Sequence, residues 1–275
     1  MMQNSAKKFV FPYMLWLLLS IVLPLLLILY YAMIDKSGDF TLNNFIGVFA
    51  PQYVATFIRS FRIALVTTIL CLLIGYPTAL FISQIAKEKQ GLVIFLFILP
   101  TWTNIVLRTY AWFTMFYKGG TIDTLLSGLG LNIQLQYSTF AVYIGMVYNF
   151  LPFMILPLYT AISKIGSEYL EASEDLGASK LQRIWHIIIP QSMPGIASGI
   201  IMVFLPAATT FVIPQMLSGG KYNLIGNTIE RQFQQALNMN FGSALSLILI
   251  CITIISIFLL NTFDSRTKGG KRHEK

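Results

Sequence analysis

Long stretches without a charged residue alternate with short polar segments along the whole chain. Six of them are long enough to cross a bilayer, which takes about 20 apolar residues per helix. They run from about 11 to 33, 63 to 83, 92 to 116, 139 to 161, 196 to 217 and 243 to 263. The pattern predicts an all-α integral membrane protein of about six transmembrane helices, forming a single transmembrane domain over residues 1–275. Composition points the same way: 56% of the residues are apolar and 11% are charged, against roughly 25% charged in an average soluble domain. A water-soluble protein this apolar would have almost no polar exterior, whereas lipid is itself the solvent for an apolar outer face. Lys7 and Lys8 precede the first run. The 25 uncharged residues from 9 to 33 exceed the core of a secretory signal and no good small-residue cleavage site follows, so a first membrane span is expected.

The net charge of +8 does not point to nucleic acid, because the basic residues sit in short clusters between apolar runs, as helix-flanking loops do. Cytoplasmic loops carry the excess of Lys and Arg. With the N-terminus inside, that side holds Lys7, Lys8, Lys87, Lys89, Lys164, Lys180, Arg183, Arg266, Lys268, Lys271, Arg272 and Lys275, which is 12 of the 19 basic residues. The outer side holds Lys36, Arg59, Arg62, Lys118, Lys221 and Arg231, and Arg108 is left inside a span. The split predicts both termini in the cytoplasm. It also makes residues from about 34 to 62 an outer loop, in which the stretch from Phe40 to Phe45 and the apolar residues after it could form a short helix at the outer surface. Pro24, Pro77, Pro100, Pro152, Pro157, Pro206 and Pro214 fall within the spans. Each frees a backbone carbonyl, which favours a bent bundle over a straight one. Cys71 and Cys251 lie inside apolar runs, so no disulfide framework is expected.

The segment from about 162 to 194, between the fourth and fifth spans, carries the most information. Four of the 11 acidic residues, Glu168, Glu171, Glu174 and Asp175, fall within eight positions. Ser167 is an acceptable N-cap, the glutamates suit the positive end of the helix dipole, and Gly177 suits a left-handed C-terminal cap. Tyr169, Ala172, Ser173 and Leu176 are spaced to share one face. Ser179 and Gln182 have capping-box spacing for a second helix. Leu181, Ile184, Trp185 and Ile188 form its apolar face, and Pro190 and Pro194 end it. A short acidic helix, a glycine turn and an amphipathic helix make a docking element for a cytoplasmic partner, or an ordinary solvated loop.

The order Glu171-Ala172-Ser173, three residues, Gly177, nine residues and Ile187-Ile188-Ile189-Pro190 resembles the EAA loop of ABC-importer permeases. Ser173 stands where that pattern has Ala and Ile189 where it has Leu. The resemblance covers nearly the whole chain and is greatest to the first permease subunit of spermidine/putrescine importers. Gly75-Tyr76-Pro77, Pro100-Thr101-Trp102-Thr103-Asn104, Leu151-Pro152-Phe153-Met154, Pro157-Leu158-Tyr159, Asp175 to Gln182 and Leu224-Ile225-Gly226-Asn227 carry it. It implies the type I importer permease fold, a multi-pass place in the bacterial cytoplasmic (inner) membrane, and no catalysis by this chain. It also implies a second homologous permease, two ATP-binding cassette subunits that hold ATP and Mg, and an extracytoplasmic binding protein. Glu171, Ala172, Ser173, Leu176, Gly177, Ala178 and Pro190 would then couple to the ATPase. Importers of other small solutes or metal ions share much of this pattern.

No P-loop is present, since Gly219-Gly220-Lys221 and Gly269-Gly270-Lys271 lack the spaced first glycine and the following Ser or Thr. His186 and His273 are isolated, which leaves no metal-ligand cluster, and no cofactor is expected on this chain. A polyamine wants aromatic faces along its route. Trp102, Tyr110, Tyr148 and Phe150, with Asn104 and Asn149 beside them, are candidates, and each could equally be a packing residue. Arg108 is a further pathway candidate, because a charge inside a span is a functional-site hypothesis by default. It would repel a polycation unless it snorkels outward or pairs with a carboxylate of the second permease. An ion-coupled secondary transporter would need acidic residues near the midplane, and none is visible. A membrane scaffolding protein would need no acidic docking helix.

Overall fold

The computed structural model describes residues 12–131 and 133–269, with side chains up to residue 258. Lys7, Lys8, Lys271, Arg272, Lys275 and His273 lie outside the described residues. The chain is helical almost throughout. In order the helices are α1 Pro12–Ala32, α2 Asn43–Val48, α3 Pro51–Gln84, α4 Lys87–Trp102, α5 Ile105–Phe116 and α6 Thr121–Gly128. They continue with α7 Thr139–Ile162, α8 Ser167–Asp175, α9 Lys180–Thr209, α10 Val212–Leu217, α11 Ile225–Gln234 and α12 Met239–Gly269. Among the described residues five are long and apolar enough to cross a membrane, and α4 together with the helices that follow it, across a 90° bend, has the length and apolarity of a sixth, as a broken span or a re-entrant loop.

The third span is therefore not one helix from 92 to 116. Pro100 sits in a 3₁₀ turn, Leu99–Trp102, after which Thr103 is extended. Lipid offers no donors to the carbonyls that such a break releases, and the chain supplies its own. The Thr101 hydroxyl donates to Ile98 O at 2.6 Å and the Thr103 hydroxyl to Pro100 O at 2.7 Å. Asn104 then restarts the helix, its Oδ1 accepting from Val106 N at 2.7 Å.

Two other boundaries differ from the sequence pattern. Helix α3 begins at Pro51, so residues 51–62 of the expected outer loop are helical and continuous with the second apolar run. The helix of the fifth apolar run, α9, begins at Lys180 and stops at Thr209, with α10 a separate helix. Pro190 and Pro194 do not end it, because a π-turn at Ile184–Ile188 precedes Pro190 and the Ile189 amide reaches back to Ile184 O. The wider turn gives the proline ring room that a regular α turn denies it. Helix α1 repeats the device, with a π-turn at Leu18–Val22 just before Pro24.

The chain divides into two compact units. Among the described residues the larger comprises 56–227 and 255–269. Its core is built around α7, with Met146, Met154, Ile155 and Leu158 fully buried. Close approach to α9 is made by glycines. A Cβ added to Gly195 would meet the Ala161 methyl at 2.5 Å and Pro157 O at 2.8 Å, and one added to Gly199 would meet Met154 Sδ at 2.6 Å. Helix α3 passes α7 in the same way at Gly75 and is tied to α9 by Tyr76 Oη and Ser192 Oγ, 2.9 Å apart. Asn227 ties the connection beyond α10. Its Nδ2 donates to Phe211 O at 3.0 Å and its Oδ1 accepts from Leu224 N at 3.2 Å, while Ile225 N donates to Ser60 Oγ at 2.8 Å.

Among the described residues the smaller unit comprises 12–55 and 228–254. Asn44 Nδ2 donates to Ala32 O and Ile34 O, at 3.0 and 2.8 Å, and Asn240 Nδ2 donates to Ile34 O at 2.9 Å. Both side chains satisfy carbonyls at the end of α1. Tyr53 lies against Phe241 with ring centroids 4.9 Å apart.

Gly195→Ala and Gly91→Ala should act in opposite directions. Alanine usually favours a helix by up to about 1 kcal/mol, and Gly91 has open space around it. At Gly195 the collision should outweigh that gain by about 1–3 kcal/mol. Thermal unfolding of the detergent-solubilised protein checks the sign of each.

Candidate functional site

The loop after α7 folds as a helix, a turn and a second helix. Gly166 caps α8, one position before the expected cap Ser167, which is instead the first residue of the helix. The Glu168 carboxylate folds back over Gly166, in the space that a Cβ there would need, and so faces the positive end of the helix. Leu170 is half-buried against the core. Ser173 is 6% exposed, with its hydroxyl donating to Leu170 O at 2.6 Å. Ser173 therefore seats the helix and does not share the outward face with Tyr169, Ala172 and Leu176. A residue 40° round the helix from Tyr169 is enough to fall on the inner side.

The helix ends in a Schellman turn. Gly177 has φ +78°, Gly177 N donates to Glu174 O at 2.8 Å, and Ala178 N donates to Ser173 O at 2.9 Å. These are the two bonds that the motif requires, and glycine enters this backbone region without the Cβ penalty. The expected capping box opens the next helix, with Gln182 N donating to Ser179 Oγ at 3.3 Å and Ser179 N donating to Gln182 Oε1 at 2.8 Å. Arg183 forms an ion pair with Glu174 across the turn.

What this element leaves outside is apolar. Tyr169 is 55% exposed and Leu176 88% exposed. Leu181 and Trp185 are exposed as well, while Ile184 is half-buried and Ile188 is buried. A depression of about 370 Å³ lies beside the turn, lined by Leu176, Gly177, Ala178, Gln182, Arg183, His186 and Ile187. The His186 ring nitrogen Nδ1 pairs with Gln182 O at 3.0 Å. Knobs beside a notch, on a helix acidic along one side, suit insertion into a groove of a second protein. Pro190 lies past the π-turn, away from this surface.

The pathway candidates do not converge on one cavity. Trp102 is 72% exposed at the bend and makes an edge contact with Phe95. Tyr110 is exposed and stacks on Phe113. Tyr148 meets the edge of Trp112 and is the electrostatic neighbour of Arg108. Asn104 is occupied as the cap of α5. Phe150 is buried in the core and offers no face to a passing solute. Among the described residues, neither Nε nor Nη1 of Arg108 meets an acceptor. Asn149 is buried, with Nδ2 donating to Gly145 O at 2.8 Å. A groove of about 510 Å³ between α7 and α9, lined by Thr160, Lys164, Gln191, Ser198 and apolar neighbours, holds none of these candidates.

Sequence reasoning missed three links. They are the Glu174–Arg183 pair, Asn227, and Gln90. The last donates through Nε2 to Ile85 O at 2.8 Å and accepts from the Tyr159 hydroxyl at 2.7 Å, which ties the turn between α3 and α4 to α7. Gln90 follows Lys87-Glu88-Lys89 in a polar turn, so nothing local set it apart.

Residues 47–269 match the model of the family described as binding-protein-dependent transport system inner membrane components. The chain is 38% identical over 253 residues to the spermidine/putrescine transport system permease protein PotB of Haemophilus influenzae, covering 89% of this chain and 88% of that protein. It is 38% identical over 254 residues to PotB of Escherichia coli K12, covering 89% and 91%. Among solved structures, a bacterial ABC transporter involved in the import of the acidic polysaccharide alginate superposes with a TM-score of 0.76 at 20% identity, over 95% of each chain.

The turn itself is open to test. Gly177→Val should cost about 1–2 kcal/mol through its positive φ, because nothing lies within 4 Å to clash with a Cβ. Gly177→Asn should cost less, since asparagine tolerates this region. Limited proteolysis of the loop should speed up for the valine variant and stay near wild type for the asparagine one.

Proposed function

The chain belongs to the family of binding-protein-dependent transport system inner membrane components, and on that premise we propose that it imports polyamines, spermidine and putrescine. It is a non-catalytic, multi-pass permease of the bacterial inner membrane, and ATP hydrolysis belongs to a separate subunit. The likeness to the PotB proteins supports the polyamine reading. In the assembly this chain pairs with a second, homologous permease. Two ATP-binding cassette subunits carry ATP and Mg²⁺, and an extracytoplasmic protein delivers the solute. Both termini and α8 face the cytoplasm.

The observation that carries the coupling role is the preformed helix–turn element with Tyr169 and Leu176 projecting from it. Docked in a groove of the ATP-binding subunit, each buries a large apolar side chain. Glu171 and Ala172, exposed beside them, line the same contact. Ala172 keeps the approach close and Glu171 supplies charge. Closure of the ATPase pair on ATP pushes α8, and the push passes through the turn at Gly177 and Ala178 into α9, whose first turns lead to Pro190. The polycation moves past the exposed rings of Trp102 and Tyr110, which attract ammonium groups through their faces, and away from Arg108.

Two measurements test this. Leu176→Asp should weaken binding of the ATP-binding subunit about 10- to 100-fold, the equivalent of about 1.5–3 kcal/mol for one buried leucine. In lipid nanodiscs, spermidine-loaded binding protein should stimulate ATP hydrolysis by the complex, and Gly177→Asp should abolish the stimulation while the complex stays assembled. Stimulation by a different cargo alone would keep the importer and remove the polyamine. A complex without a co-purifying ATPase would remove the importer.

A further inference from the structure

Between α8 and α9 the backbone passes through Gly177 and Ala178, and the space around Gly177 is open. A glycine in open space is where a pushed helix would pivot. Among the described residues an ion pair spans that pivot. Glu174, in the last turn of α8, pairs with Arg183, in the first turn of α9. Arg183 is 17% exposed at its side chain and Glu174 59%, so the guanidinium is largely enclosed while the carboxylate still meets water. The π-turn Ile184–Ile188 begins at the very next residue. A π-turn has one residue more than its helix needs, so it is a place where a helix can bend or shift register, and such turns gather at functional sites.

We propose that the Glu174–Arg183 ion pair is a brace: it locks α8 and the first turn of α9 into one rigid body, so that displacement of α8 bends the chain at the π-turn 184–188 and not at Gly177. Without the brace, motion of α8 would be absorbed by rotation about Gly177 before it reached the membrane helix. With it, the rigid body spans 167–183, held by the Schellman turn at one corner and the capping box at the other. Glu174 and Arg183 are thus positioning residues for coupling, touching neither solute nor nucleotide. A partly exposed pair adds little to the stability of the free permease. Docking of the ATP-binding subunit over the exposed carboxylate removes water from the pair, lowers the local dielectric and strengthens the attraction. The brace is therefore stiffest in the assembled complex, when it is needed.

The proposal rests on the permease reading above, and the test separates the two. The complex with its ATPase is reconstituted in liposomes, and spermidine taken up per ATP hydrolysed is measured with spermidine-loaded binding protein. Glu174→Gln and Arg183→Gln should each lower that ratio about two- to five-fold, with assembly and thermal unfolding unchanged. The charge-reversed double variant E174R/R183E should restore it. Hydrogen exchange of the loop amides should accelerate in the single variants and return in the double one, a readout that does not depend on the cargo. Singles that keep the wild-type ratio and exchange, or a loss that the double variant does not recover, would overturn the brace and leave the importer standing. A wild-type complex that takes up no solute would remove the importer, and the brace with it.

Discussion

Every break in a membrane helix must find partners for the backbone groups it releases, because hydrocarbon supplies none and an unpaired group there costs several kcal/mol. The places where this chain interrupts its helices follow from that constraint. At the 90° bend, two threonines accept the burden of the freed carbonyls and an asparagine starts the next helix. Beyond α10, Asn227 bonds to both the incoming and the returning backbone. At the end of α1, Asn44 and Asn240 do the same for Ala32 and Ile34. Short polar side chains gather at these interruptions. They are what makes the interruptions possible.

The same constraint sets which parts can move. Helix α7 carries Pro152 and Pro157 yet runs unbroken through the core, and α9 lies so close to it at Gly195 that a methyl group would not fit. A pair packed this tightly shifts as a unit, because close-packed interiors do not deform continuously. Compliance is left to the segments at its edge: the bend before α5, the π-turn near the start of α9, and the loop that carries α8.

Legibility in the sequence followed the range of the interaction. Gly177 and the capping box at Ser179 and Gln182 are local devices, and a reading of spacing alone places them correctly. Hydropathy found the apolar lengths but not the bend, since composition does not change at Thr103 and only the order Pro-Thr-Trp-Thr-Asn marks it. Pro190 was misleading, because a proline reads as a stop unless the turn before it widens, and Ile184 to Ile188 carry no residue that announces a π-turn. Ser173 was placed by spacing on one face with Tyr169, and the 40° between them decided its burial. Phe150 and Gln90 required the fold: which side of a helix faces its neighbours, and which carbonyls a distant turn leaves free, depend on packing that no local pattern encodes.

A nine-residue helix in water is marginal by itself, since nucleation costs more than so few bonds return. Helix α8 has nine residues, and of these Leu170 and Ser173 meet the protein body. What holds it helical before any partner arrives is therefore its ends, namely the Glu168 carboxylate folded over its start and the Schellman turn at Gly177. A coupling element made this way is ordered within itself and only lightly seated on its own chain. Ordering it in advance removes an entropic cost from docking, and light seating leaves it free to travel. Both properties come from side chains that touch neither the membrane nor the solute, so the sequence of this loop is constrained by motion as much as by contact.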